Sequence, residues 1–255
     1  MNKTNLIIFF LCCIYMNSYS IENQNYSSEE TSFYFFDKTF KQTTLNMETG
    51  EIFVRNGDFK ILHDKYDNQQ LVLTVDGNEE KYRFFEFDDW LILYKNNIPF
   101  FFGNKVSSRL LESLCFKPIT ATSFLKEGKK EYSSNKLSRW ANLNYVWSEG
   151  VDGYGIGEKL FISEADLSKI YILPGYVSAE RPDLYKKNSR PKTLRITTDT
   201  ESFTVELKDK VEFQEIKFNN RNNKKIIIEI LDVYKGDLYE DTCISSVLCR
   251  TWTSY

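Results

Sequence analysis

No stretch of ten or more residues in this chain places apolar side chains at a 3.6-residue period; short apolar runs alternate instead with turn dipeptides. That pattern excludes a helical core and predicts an all-β fold. Between Thr43 and Gly103 the runs EIFVRN, KILHDK, LVLTV, YRFFEF, LILYK and PFFFG are separated or flanked by Asn56-Gly57, Asp67-Asn68, Asp76-Gly77 and Asn96-Asn97. Asn-Gly and Asp-Gly accept positive φ at both central positions of a two-residue hairpin, so the spacing predicts about six strands in an antiparallel β-meander. Residues 21–34, rich in Ser, Asn and Glu, read as a flexible lead-in. The run SSRLLESLCF at 107–116 reads as a brief helical turn that joins this module to the next.

From Ile119 the loops lengthen and a second set of strands begins: KLFIS, KIYIL, TLRITT, FTVEL, VEFQEIKF and KKIIIEILDVY. Their alternating or continuous apolar faces suit a two-layer sandwich. TLRITTDTESFTVEL carries a hairpin signature. At 255 residues, with 42% hydrophobic and 16% aromatic side chains, the chain can bury a sizeable core and is not disordered.

The 33 basic residues against 36 acidic ones give a net charge of −3, with no basic stripe interleaved with aromatics, so nucleic acid is excluded as a partner. The N-terminus, MNKTNLIIFFLCCIYMNSYS, has one Lys, an apolar stretch from Leu6 to Met16, and small Ser18 and Ser20. It reads as a signal peptide cleaved near Ser20, which predicts a secreted, periplasmic or envelope protein. The stretch falls short of the ~20 residues that span a bilayer, so the mature chain is expected to have no transmembrane segment. Anchoring as a lipoprotein through Cys12 or Cys13 is the lesser alternative, because Phe9, Phe10 and Leu11 are bulky where small residues are wanted. After cleavage Cys115, Cys243 and Cys249 remain, too few for a disulfide framework, and no Cys/His cluster suits zinc. Neither a metal nor a cofactor is expected. The Asn/Lys/Ile-rich composition suits a low-GC bacterium.

The segment VWSEGVDGYGIGEKL, 146–160, sets Gly150, Gly153, Gly155 and Gly157 beside Trp147. Their spacing fits neither phosphate-binding glycine motif, and the EKLFIS that follows reads as strand, so a nucleotide cradle is excluded. This segment, followed by KIYILPGYV, KKNSRPKTLRI, VEFQEIKF and ILDVYKGDLYEDTCISSV, resembles the NADase-type glycan-binding domain, akin to discoidin and F5/8 type C sandwiches. The resemblance covers about residues 118–250. It departs from the family pattern at RWANLNYVW, where a Phe-Asp-Gly type turn would stand. It implies a galactose-binding-like jelly-roll sandwich and carbohydrate binding, without NADase activity. The expected organisation is a signal peptide at 1–20, a β-meander domain of unassigned role at 21–117, and a glycan-binding sandwich at 118–255.

Sugar binding needs an aromatic face and convergent polar groups. The loop 174–191 offers Tyr176, Arg181, Tyr185, Asn188 and Arg190; the glycine-studded loop offers Trp147, Glu149, Asp152 and Tyr154. These nine form the expected ligand rim. Trp147 serves equally as a core plug, and Glu149 and Asp152 as ties for loop amides, being too few for calcium. Asp241 and Thr242 are expected to bond turn amides. Cys243 and Cys249, an even number apart, are expected on one strand face as buried thiols. His63, the one histidine, reads as structural, and Asp88 and Asp89 before Trp90 mark a turn, since adjacent strand residues face opposite ways and cannot flank one glycosidic bond. The leading expectation is thus a non-enzymatic glycan-binding protein. The runner-up is a protein-interaction module with a partner in the bacterial envelope, recognisable by an exposed apolar patch on a sheet face. A hydrolase or NADase ranks third.

Overall fold

The computed structural model describes residues 21–251, apart from 67, 89, 105–113, 116, 139–140, 164–166 and 220–222. The expected signal peptide at 1–20 with Cys12 and Cys13, Asp89, and most of the expected helical turn at 107–116 lie outside the described residues. The regular structure in the described residues is almost all strand, as expected. Only one α-helical turn, α1 (Leu184–Lys187), and one 3₁₀ turn (Ser134–Lys136) are found among the described residues.

The meander runs β1 (Asn25–Ser27), β2 (Thr31–Phe36), β3 (Thr39–Leu45), β4 (Ile52–His63), β5 (Gln69–Val75), β6 (Asn78–Phe87), β7 (Trp90–Lys95) and β8 (Ile98–Asn104). It closes into a barrel because β1 pairs with β8, Tyr26 opposite Asn104. The expected lead-in at 21–34 is therefore not loose. Its Tyr26 and Phe33 are buried and complete the barrel, which removes the exposed edges an open meander would leave. Asp76 and Gly77 take positive φ, 49° and 77°, in the β5–β6 hairpin, as the dipeptide predicts.

Asn56-Gly57 makes no turn. The expected strands EIFVRN and KILHDK are one twelve-residue strand, β4, that runs through the pair. A Cβ at Gly57 would lie 2.0 Å from the Thr74 carbonyl oxygen and 3.0 Å from the Phe40 ring, so glycine is required there for close strand approach.

The barrel interior is filled by Phe33, Phe35, Phe40, Phe59, Leu71, Leu73, Phe84, Leu91, Leu93 and Phe102. On β6 and β7 the alternate residues are apolar too. Phe85, Phe87, Trp90, Ile92 and Tyr94 point outward and are buried against the second half of the chain. Burial on both faces explains why YRFFEF and WLILYK read as continuous apolar runs.

The second half begins with β9 (Leu114–Cys115), β10 (Ile119–Ala121), β11 (Lys126–Glu127), β12 (Lys130–Glu131), β13 (Trp147–Ser148), β14 (Lys159–Ser163) and β15 (Leu167–Pro174). It continues with β16 (Arg190–Thr197), β17 (Ser202–Glu206), β18 (Gln214–Lys217), β19 (Lys225–Tyr234) and β20 (Cys243–Thr251). Two antiparallel sheets, β10-β14-β19-β16-β17 and β13-β20-β15-β18 with β9 on β20, make a jelly-roll sandwich. Its core is Ile and Leu from both sheets around Trp147.

The outer face of the β20-containing sheet carries Tyr171, Leu173 and Leu248, which pack with Phe213 on the barrel's aromatic face as one continuous core. Phe87 and Phe213 ring centroids lie 4.7 Å apart, Phe85 and Phe213 5.4 Å. Asp88, at φ 51° in the β6–β7 turn, accepts hydrogen bonds across the seam from Tyr171 (2.6 Å), Lys169 (3.0 Å) and Arg250. Burial alone would raise its carboxyl, but these partners hold it below the usual range.

A β-bulge separates the two thiols. Leu173 opposes Ser246 while Pro174 opposes Ile244, leaving Ser245 over. Ile244, Val247 and Cys249 consequently all enter the sandwich core, and Cys243 does not. Both are buried, but the even spacing does not give them a common face; burial pushes the Cys243 thiol up to about 12.

Candidate functional site

The glycine-studded loop is organised by a carboxylate. Glu149 is fully buried; its Oε2 accepts from Val151 N at 2.9 Å and its Oε1 from Thr242 N at 3.2 Å. Burial raises its pKa even so. Gly155, at φ 64°, passes so close that a Cβ would sit 2.4 Å from the Glu149 Cγ. Thr242 closes the arrangement: its carbonyl accepts from Glu149 N at 3.2 Å and its hydroxyl donates to the Tyr154 carbonyl at 2.8 Å. Thr242 thus fixes the loop through a carbonyl, where a turn amide was expected.

The loop 174–191 leans on the same segment. Ser189 N donates to the Asp241 carbonyl, Cys243 N to the Ser189 carbonyl, and Gly175 N to the Cys243 carbonyl. The two loops therefore lie to either side of residues 241–243 at one end of the sandwich.

Five of the nine expected rim residues are buried within it. Trp147 is a core plug whose Nε1 donates to the Ser123 carbonyl at 2.9 Å. Arg190 makes a two-pronged ion pair with Asp209, at 2.6 and 2.7 Å. Burial would raise the Asp209 carboxyl, but Arg190 and Lys186 hold it down at about 2. Tyr185 stacks under the Arg190 guanidinium, 5.0 Å from its centroid, and burial drives its phenol far above the usual value. Asn188 Nδ2 donates to the Leu184 carbonyl, and Glu149 is the loop tie already described. The other four reach the surface. Asp152 and Arg181 are exposed, Tyr154 and Tyr176 half-buried, and Arg181 forms a fork with Asp183.

Tyr176 lines a cleft of ≈ 170 Å³. Its other walls come from β12, the 3₁₀ turn and the 144–146 segment: Lys130, Glu131, Tyr132, Ser133, Asn135, Lys136, Asn144, Tyr145 and Val146. Tyr132 and Tyr176 meet edge to face with centroids 6.2 Å apart. Lys130 Nζ lies 4.4 Å above the Tyr132 ring and 3.4 Å from the Tyr176 hydroxyl, and Lys136 Nζ lies 4.6 Å above the Tyr145 ring. Burial would lower the Lys130 ammonium, but Tyr132 and Tyr176 hold it above its ordinary value. The combination of three tyrosines, two ammonium groups and two amides can stack a sugar ring and bond its hydroxyls. Sequence reading passed over Tyr132 and Tyr145, although KKEYSSNK and NLNY hold the signal in their clustering of Tyr, Lys and Asn.

The barrel reaches this cleft through the β7–β8 hairpin. Asn97 Oδ1 accepts from Ala179 N at 2.8 Å, and its Nδ2 donates to Asn144 Oδ1 at 3.2 Å. Leu143 N donates to the Asn97 carbonyl, and the Tyr94 hydroxyl to the Ala141 carbonyl at 2.8 Å. Among the described residues no group of three or more His, Cys, Asp or Glu is arranged to hold a metal, and no helix is long and apolar enough to cross a membrane.

No curated protein sequence matches the chain. Among solved structures, it is similar to CBM32-3 from a family 31 glycoside hydrolase of Clostridium perfringens, at 15% identity and TM-score 0.42, covering 58% of this chain and 100% of that one. It is also similar to the family 32 module of C. perfringens NanJ in complex with galactose, at 14% identity and TM-score 0.35, covering 54% and 93%. Residues 112–250, more than half of the sequence, match the model described as the NAD glycohydrolase translocation F5/8 type C domain, and the chain belongs to that family.

Proposed function

We propose that this protein is an exported, non-enzymatic glycan-binding protein and that the sugar sits in the tyrosine cleft. The observation that carries the reading is the convergence of Tyr132, Tyr145 and Tyr176 with Lys130, Lys136, Asn135 and Asn144 on one concave surface. Aromatic faces take the apolar side of a pyranose, and the amides and ammonium groups take its hydroxyls. Arg181, exposed on the same loop as Tyr176, extends this rim. Asp152 and Tyr154 make contacts further out along the same sandwich end. The buried residues Trp147, Glu149, Tyr185, Asn188 and Arg190 act by holding the loops. A shallow site of this size gives weak affinity for a single sugar. The apolar stretch at Leu6–Met16 supports export. A glycan array with the full chain tests the reading: binding that is lost in Tyr132→Ala and Tyr176→Ala supports it, and silence at high protein density refutes it.

A specific observation favours a second reading, an envelope protein as partner. On the outer face of β2 and β4, Tyr34, Phe36, Ile52 and Val54 are 47 to 65% exposed, and the Tyr34 and Phe36 rings lie parallel with centroids 6.3 Å apart. Exposed apolar side chains grouped in this way mark contact surfaces. Capture of an envelope protein that survives free sugar and is lost in Phe36→Ser/Val54→Ser would favour it.

A further inference from the structure

The cleft is electrostatically lopsided. Lys130 and Lys136 both border it, and neither forms an ion pair with a carboxylate among the described residues. The acidic side chain in its lining, Glu131, is already neutralised by Lys126 at 2.9 Å. Glu127, opposite Lys130 in the β11–β12 hairpin, accepts the Tyr132 hydroxyl at 2.8 Å and makes no ion pair with Lys130. Each ammonium is parked over a tyrosine face, which favours a cation but leaves its N–H donors unused by any carboxylate. Elsewhere the lysines of the sandwich are commonly paired: Lys169 with Asp88 and Glu215, Lys186 with Asp209, Lys187 with Asp183, Lys192 with Asp232. Two uncompensated cations about one concave, tyrosine-lined site are matched by a ligand that brings its own negative charge.

Resting on the glycan-binding reading above, we propose that the cleft selects acidic saccharides: the sugar ring packs on Tyr132, Tyr145 and Tyr176, and an anionic substituent, carboxylate or sulfate, is received between Lys130 and Lys136. The small cleft takes one sugar ring, so the charge must sit on the ring bound there and not on a distant unit of a chain.

The test is calorimetric titration of the full chain with matched pairs: galactose against galacturonate and galactose 6-sulfate, and glucose against glucuronate. Two partly screened charge contacts predict about tenfold tighter binding of the acidic member at low ionic strength, with the gap closing as salt is raised. In Lys130→Gln/Lys136→Gln, whose amides still offer donors to sugar hydroxyls, the neutral sugar weakens by about threefold or less, the acidic member falls to the same affinity so that the gap disappears, and the thermal unfolding curve is unchanged. Carboxylate and sulfate arms that differ identify which anion is preferred. Equal affinity for neutral and acidic members, or a preference that persists in the double variant, overturns the selectivity and leaves glycan binding standing. No binding by any of these sugars, with a blank array, removes both.

Discussion

Phe213 tests whether barrel and sandwich are one folding unit. Its ring is 8% exposed and lies between the two halves, at 4.7 Å from Phe87 and 5.4 Å from Phe85. Phe213→Ala removes a buried aromatic, for which core substitutions cost about 3 to 5 kcal/mol, including up to about 1 kcal/mol for each aromatic pair. Because Phe213 lies at the rim of the seam and the site can partly collapse, we expect about 3 kcal/mol. For a chain of this size that lowers the midpoint by roughly 6 to 12 °C. The seam is apolar and continuous, with Tyr171, Leu173, Val177 and Leu248 on the sandwich side, so the loss should be felt on both sides. Hydrogen-exchange mass spectrometry in mild denaturant reads this directly: peptides from β5–β7 and from β14–β20 should lose protection by the same free energy. If barrel peptides loosen while sandwich peptides keep wild-type protection, the halves are independent domains joined by a wet contact, and the shared-core reasoning fails. The same reasoning predicts that a sandwich fragment starting at residue 118 exposes this face and aggregates, which is why the binding tests above use the full chain.

Asn97→Ala, which touches no ligand, removes the links to Ala179 N and Asn144. It should weaken sugar binding several-fold and cost about 1 to 2 kcal/mol of stability, measured by calorimetry and urea unfolding. Gly155→Ala forces an alanine to φ 64° and drives its Cβ against Glu149; it should cost about 2 to 3 kcal/mol, and a cost below 0.5 kcal/mol would mean Glu149 does not fix the loop. Asp209, held down at about 2 against an ordinary 3.8, lends stability that is complete above about pH 4 and lost as pH falls through 2. The full shift is worth about 2 kcal/mol, discounted to about 1 kcal/mol because the carboxylate is 29% exposed; Asp209→Asn should flatten that part of the acid unfolding profile. Glu149 and Asp241 work the other way: burial raises both, so each opposes folding as it ionises. Glu149→Gln should thus shrink the fall in stability that accompanies rising pH through the carboxylate range.

Local φ preference and apolar alternation are properties that a line of residues carries without its neighbours in space. Those two features specify an all-β chain, the Asp76-Gly77 hairpin, the TLRITTDTESFTVEL hairpin realised with Thr197 opposite Ser202, and a glycine loop that leads into a strand. The role of Glu149 in holding loop amides was legible too, because a carboxylate among glycines has few other partners. Tertiary structure decided whatever depends on which distant strand lies alongside. Asn56-Gly57 carries the local signature of a turn, but the barrel needs a long β4 there, and the glycine serves the approach of Thr74. The polar segment at 21–34 looks unstructured until β8 offers it a partner. Trp147 and Arg190 look like ligand groups in a line of text and are buried because both sheets and Asp209 close over them. The cleft itself joins residues from 130, 145 and 176, which only packing brings together, since alternation tells which face a side chain takes but not what will stand opposite.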